Sequence, residues 1–236
     1  MKPEVDYRKL RLSNLSSSTF SHLYYLLFWP LFGLAFMLLE KWTTRDFHPI
    51  SCSLDDFIPF SEWFIIPYYI WFVFLIGMIV YSLFWDVAAF RNYMRFTILT
   101  YGITCIIYIV YPNSQELRPI TFANENILTD IVQYLYNFDT NTNVCPSLHV
   151  IGSVAVFLAS WNSKWFHTPV RRVVMTILTI LISISTVFLK QHSILDIGAA
   201  LLVCLVAYPF VYIPKMARFW DRKKDPKAIV SSAKFL

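Results

Sequence analysis

Lys190-Gln191-His192-Ser193-Ile194-Leu195-Asp196 stands at the head of an uncharged apolar run over residues 197–213. Five more such runs precede it, at 23–39, 63–85, 96–111, 146–161 and 173–189. A bilayer core of ~30 Å is crossed by ~20 helical residues, so runs of this kind read as spans. Composition agrees. Hydrophobic residues make up 57% of the chain and charged residues 15%, against about 25% charged in soluble domains. The expectation is an all-α polytopic membrane protein, a bundle of six transmembrane helices. Residues 1–21 form an N-terminal tail, 22–214 the membrane domain and 215–236 a basic tail.

The first run follows Lys2, Arg8, Lys9 and Arg11, the order seen in a signal peptide. It ends in Glu40-Lys41-Trp42 with no small-residue cleavage site, so it reads as a retained helix. Residues 127–138 have the pattern of a short amphipathic helix, in the longest polar stretch, 112–143. Of the 20 basic residues, all but Lys41, Arg45, Arg118 and Lys190 fall on one predicted side. By the positive-inside rule that side, with both termini, is cytoplasmic. The net charge of +5 is therefore a topology and headgroup signal rather than one for nucleic acid. The compact size points to a bacterial plasma membrane. Cys105 and Cys204 lie inside apolar runs as core residues. Cys52 and Cys145 share a predicted side, which leaves a pairing open. No Cys or His spacing reads as a zinc site.

Three fragments then meet on the outer side. Cys145-Pro146-Ser147-Leu148-His149 opens the fourth span, with Pro146 suited to the first helical position. Free N–H groups at that helix start favour an anion. His192 and Asp196 are four apart and can touch on a helix face. A carboxylate on one imidazole nitrogen leaves the other as a nucleophile. Arg118, before Pro119, and Lys190 bring positive charge for phosphate oxygens. Lys190 also suits a residue that only snorkels to headgroups. Asp196, an ionisable residue at the edge of an apolar run, is a functional candidate in its own right.

Pro146-Ser147-Leu148-His149 resembles the second signature, P-S-G-H, of the type-2 phosphatidic acid phosphatase and vanadium haloperoxidase superfamily. His192 with Asp196 resembles the third, S-R-x5-H-x3-D, and Arg118-Pro119 the end of the first, K-x6-R-P. The six-span layout also resembles that of the membrane members. The resemblance implies His192 as nucleophile, His149 as general acid and Asp196 as the orienting carboxylate. It implies Arg118, Lys190 and Ser147 as phosphate ligands, with no metal and no cofactor. Three positions depart from the pattern. Tyr111 stands for the first lysine, Leu148 for the glycine and Thr186 for the third-signature arginine. Lys190, one helical turn on from Thr186, is expected to replace the lost charge. The Leu and Lys variants are similar to those of inositol phosphorylceramide synthases, which move a phosphorylated headgroup between lipids. The implied activity is a lipid phosphatase acting on a lipid phosphate substrate, with membrane lipids around it. Two alternatives stay open: a lipid phosphotransferase with an alcohol acceptor, and a non-catalytic lipid transporter.

Overall fold

The structure, a computed structural model, describes residues 2–42 and 46–221. Among them the chain forms nine α-helices: α1 (Phe28–Lys41), α2 (Ser53–Phe57), α3 (Ile65–Trp85), α4 (Val87–Val110), α5 (Ile127–Phe138), α6 (Leu148–Trp161), α7 (Pro169–Phe188), α8 (Ile194–Tyr212) and α9 (Pro214–Asp221). Two short strands, β1 (His48–Pro49) and β2 (Asn113–Ser114), pair in parallel. The all-α expectation holds. Helix α5 has the bounds that its amphipathic pattern gave.

Five helical segments are long and apolar enough to cross a membrane: Ser21–Lys41, Glu62–Trp85, Val87–Val110, Pro169–Phe188 and Ile194–Tyr212. Their outer faces carry exposed apolar side chains, such as Leu31 and Leu34 on α1, Val73 and Ile76 on α3, and Leu202 and Leu205 on α8. Soluble surfaces rarely expose apolar area on this scale.

The expected fourth span differs. Helix α6 has 14 residues, about 21 Å at 1.5 Å per residue, short of a bilayer core. Pro146 is not its first residue. Ser147 is the N-cap and Pro146 precedes it, in a cis peptide with Cys145. Residues 143–147 enter as irregular backbone buried in protein, the setting in which such backbone is tolerated at membrane depth. Asn113, itself fully buried, holds this loop. Its Oδ1 accepts from the N–H groups of Val144 (2.9 Å) and Cys145 (2.8 Å), and its Nδ2 donates to the Cys145 carbonyl (2.8 Å).

Helix α6 is the centre of the bundle and packs on α3, α4, α7 and α8. Val150, Ile151, Ala155, Val156 and Ala159 are buried along it. A Cβ at Gly152 would stand 2.8 Å from the Tyr101 hydroxyl and 3.0 Å from Trp71 Nε1. The glycine thus lets both aromatic rings lie on the α6 backbone.

The helix expected as the third span also starts earlier than its apolar run, at Val87. Arg91 and Arg95, which fall between the runs at 63–85 and 96–111 and so read as loop, are helical. Asp86 alone separates α3 from α4, and its side chain accepts from Ala89 N–H as the α4 N-cap. Arg95 is buried, with Nε donating to the Tyr25 hydroxyl (3.1 Å) and its guanidinium over the Trp220 ring. Arg171 and Arg172, which fall between the runs at 146–161 and 173–189 and so read as loop, lie in the first turn of α7. The N-terminal segment is tied to the same corner. Tyr7 donates to the Leu83 carbonyl (2.7 Å), and Glu4 accepts from Val87 N–H (2.9 Å). Of the basic tail, Arg222, Lys223, Lys224, Lys227 and Lys234 lie outside the described residues, as does Arg45 of the loop after α1. Cys52 and Cys145 are both free thiols, and Cys204 is a core residue.

Candidate active site

Helix α8 begins with Ser193 as N-cap, and Asp196 is its third residue. Asp196 Oδ2 accepts the Ser193 N–H at 3.0 Å, and the same oxygen lies 3.0 Å from His192 Nδ1. The expected contact is present, but its cause differs. His192 precedes the cap and is not on the helix face. Its N–H donates to the Thr186 carbonyl at the end of α7 (3.1 Å). The cap geometry, rather than helical spacing, brings the two side chains together. A carboxylate only accepts, so Nδ1 carries the proton and the Nε2 lone pair is free. Asp196 is fully buried and His192 is 8% exposed, which keeps bulk water off the pair.

His149 is the second residue of α6. Its ring lies between Tyr68 and Trp71 of α3, with centroids 4.4 and 4.3 Å away. The His149 and His192 rings are 5.9 Å apart at 63°. His149 Nε2 is buried without a hydrogen-bond partner among the described residues. Both histidines line a cavity of about 400 Å³. Nine of its nineteen lining residues are Phe, Tyr or Trp, and none is Lys or Arg, so its wall suits an apolar molecule.

The expected phosphate ligands are placed otherwise. Ser147 is fully buried and is spent on structure: its Oγ accepts from Val150 N–H (3.5 Å), and its own N–H donates to the Asp196 carbonyl (3.2 Å), tying α6 to α8. Arg118 does not line the cavity. Nη1 donates to the carbonyls of Tyr136 (3.0 Å) and Asp139 (2.9 Å), and Nη2 to the Thr140 carbonyl (2.9 Å) and to Gln191 Oε1. Lys190 does not continue the face of Thr186. Helix α7 ends at Phe188, and Lys190 adopts a left-handed conformation (φ 52°) that turns the chain. Its ammonium donates to the Asp55 carbonyl (2.7 Å). Thr186 contributes its carbonyl, which accepts from both Gln191 (2.9 Å) and His192 N–H. Tyr111, in place of the first-signature lysine, stacks on His48. The structure thus unites His149, His192 and Asp196; around them Ser147, Arg118 and Lys190 have their polar groups on protein partners.

Compared with protein-family models, curated proteins and solved structures, the chain matches none. Its chemistry is therefore read from its own geometry.

Four residues beside the site carried no motif signal. Gln191 is 2% exposed, lines the cavity, and is fixed through its carbonyl by Gln115 Nε2 (3.2 Å). Asp139 also lines the cavity and accepts from the Tyr68 hydroxyl (3.3 Å). Burial pushes the Asp139 carboxyl above the usual carboxylate range, against the opposing charges of His192 and Arg118. This lowers its negative charge at a given pH. Trp71 holds the His149 ring. Asp55, the third residue of the short helix α2, is buried at the start of α8 and accepts from Ser193 Oγ (2.6 Å), Ile194 N–H (2.8 Å) and Cys52 N–H (2.9 Å). For Asp55, burial raises the carboxyl, but these hydrogen bonds and the Lys190 charge outweigh it, and the net shift is downward.

Asp55 thus anchors the turn that carries His192. Asp55→Ala leaves three donors without an acceptor, and each buried orphan costs about 1–3 kcal/mol. The expected loss of stability is on the order of 3 kcal/mol, read as a lower thermal midpoint in detergent. The folded carboxyl lies below its unfolded value, so its contribution is complete above the ordinary carboxylate range. It is lost as pH falls through the depressed value. The wild type should therefore lose more stability on acidification than the variant. An unchanged midpoint in Asp55→Ala would remove Asp55 as an anchor.

Proposed function

We propose that the chain is an integral-membrane lipid phosphatase working through a phosphohistidine. The observation that carries this is the His192–Asp196 pair facing His149 across one aromatic cavity. The motif resemblance supports it.

In the first step His192 Nε2 forms a bond to phosphorus, the bond from phosphorus to the lipid oxygen breaks, and His149 gives that oxygen its proton. In the second step water attacks phosphorus and passes a proton to His149. The N–P bond breaks, and phosphate and the free His192 are restored. The aromatic wall holds the lipid end of a phosphatidic acid-like or isoprenoid phosphomonoester. The chain spans the membrane six times, α6 and its buried loop making the short span. Both termini are cytoplasmic, the site is on the outer side, and the membrane is a bacterial plasma membrane.

A second reading has an observation of its own. A cavity without a lining Lys or Arg suits a singly charged phosphodiester better than a dianion, and its apolar wall suits an alcohol acceptor better than water. This is a phosphotransferase moving a phosphorylated headgroup to a lipid alcohol. Incubating the protein in detergent with phosphatidic acid, phosphatidylglycerol phosphate or an isoprenoid phosphate tests the first reading, which expects release of inorganic phosphate. Headgroup transfer from a phosphodiester lipid to an added diacylglycerol or ceramide, without phosphate release, favours the second. Neither product from any of these lipids contradicts both.

A further inference from the structure

The anion expected at this site meets no lysine or arginine in the cavity wall, and Arg118, whose guanidinium reaches the Gln191 side chain, is otherwise turned onto loop carbonyls. Gln191 stands between the two. It is the residue before His192, it lines the same cavity, and it is 2% exposed. Its Oε1 accepts from Arg118 Nη2. A guanidinium has donors only, so the amide atom that faces it is the oxygen. The amide orientation is thereby fixed, and Nε2 is turned away from Arg118. Nε2 is buried and has no acceptor among the described residues. The backbone is fixed as well. Gln191 N–H donates to the Thr186 carbonyl (2.9 Å), and its carbonyl takes Gln115 Nε2. A buried amide N–H group is rarely left unsatisfied, and a preorganised free donor next to a nucleophile awaits an acceptor.

We propose that Gln191 Nε2 donates to a phosphoryl oxygen of the substrate beside His192, with Arg118 fixing and polarising the amide from behind. This rests on the phosphoryl-transfer reading above. Arg118 then acts without touching substrate. Its four hydrogen-bond partners are neutral oxygens, so its charge is not cancelled by a direct carboxylate contact. That charge draws electron density through the amide and strengthens the Nε2–H donor. The partner it serves is the developing charge on the equatorial oxygens of phosphorus, where a fixed donor in a dry site counts most. His149, whose Nε2 is equally unpartnered among the described residues, lines the same cavity. A phosphate oxygen on each would satisfy both groups at once.

Gln191→Glu removes the donor, keeps the shape and adds a negative charge. One carboxylate oxygen keeps the Arg118 contact, and the other replaces the free N–H group. The expected result is a kcat about 10²–10³-fold lower, the range for loss of one such donor. Inhibition by vanadate, which mimics five-coordinate phosphorus, should weaken by a similar factor. The thermal midpoint in detergent should stay at the wild-type value, which separates this role from a structural one. Gln191→Met removes the same donor without adding charge and, should Gln191→Glu not fold, carries the test through kcat and vanadate inhibition. An active wild type beside a substituted enzyme of near wild-type kcat and vanadate sensitivity overturns the role of Gln191 alone. A wild type with no turnover of any lipid phosphate, and no response to vanadate, removes the parent reading and this one with it.

Discussion

His192→Ala is expected to lower turnover of a lipid phosphate by about 10⁴-fold or more, the size of effect seen when a covalent nucleophile is removed. No acid-labile phosphoenzyme should form. The reason lies in the geometry. Asp196 Oδ2 takes the Nδ1 proton at 3.0 Å, so Nε2 is the one ring nitrogen left to attack. His149 is no substitute, because its ring is held between Tyr68 and Trp71 and has no carboxylate on it among the described residues. The fold should survive. His192 makes its main structural bond through the backbone, to Thr186, and alanine keeps that bond. Single-turnover assays on the purified variant, beside its thermal midpoint, check both statements. Wild-type kcat in His192→Ala would end the proposed mechanism.

Asp196→Asn has the second-largest expected effect. The asparagine oxygen can take the place of Oδ2 and keep both bonds, from His192 Nδ1–H and from Ser193 N–H. What goes is the charge. In the covalent intermediate the imidazole ring becomes cationic, and Asp196 is the buried carboxylate in contact with it. At a site this dry an ionic contact of that kind is strong. A fall in kcat of about 10³-fold is expected, the upper range for one charge-stabilising group. KM should change little, since the substrate does not touch Asp196. The split between kcat and KM is the readout. A rise in KM with kcat intact would make Asp196 a binding residue instead.

Much of this arrangement was legible in the residues. Uncharged runs gave the long helices, and the alternation at 127–138 gave α5. The spacing of His192 and Asp196 gave their contact, although a helix cap rather than a helix face produces it. Charge misled the reading in α4. Arg91 and Arg95 looked like a loop, yet Arg95 is buried against the Tyr25 hydroxyl and the Trp220 ring, partners remote in sequence. A basic residue near His192 draws the eye as a ligand, and nothing in sequence showed that the Asp55 carbonyl and carbonyls of residues 136–140 would accept from Lys190 and Arg118. Gln191 was hidden for the opposite reason. A neutral amide carries no charge signal, and its free N–H is visible only once Arg118 is seen on its oxygen. The short α6 follows from Asn113, which holds residues 144–145 from 31 and 32 positions away.

The central claim is a covalent bond between His192 and phosphorus. The direct measurement is rapid quenching of the wild-type protein in detergent with a lipid labelled in its phosphate, followed by digestion at alkaline pH and mass spectrometry. The expected result is an acid-labile phosphoryl group on the peptide containing His192, formed and lost at rates that account for kcat. Phosphate on another residue, or full turnover through the quench with no labelled peptide, would contradict the account.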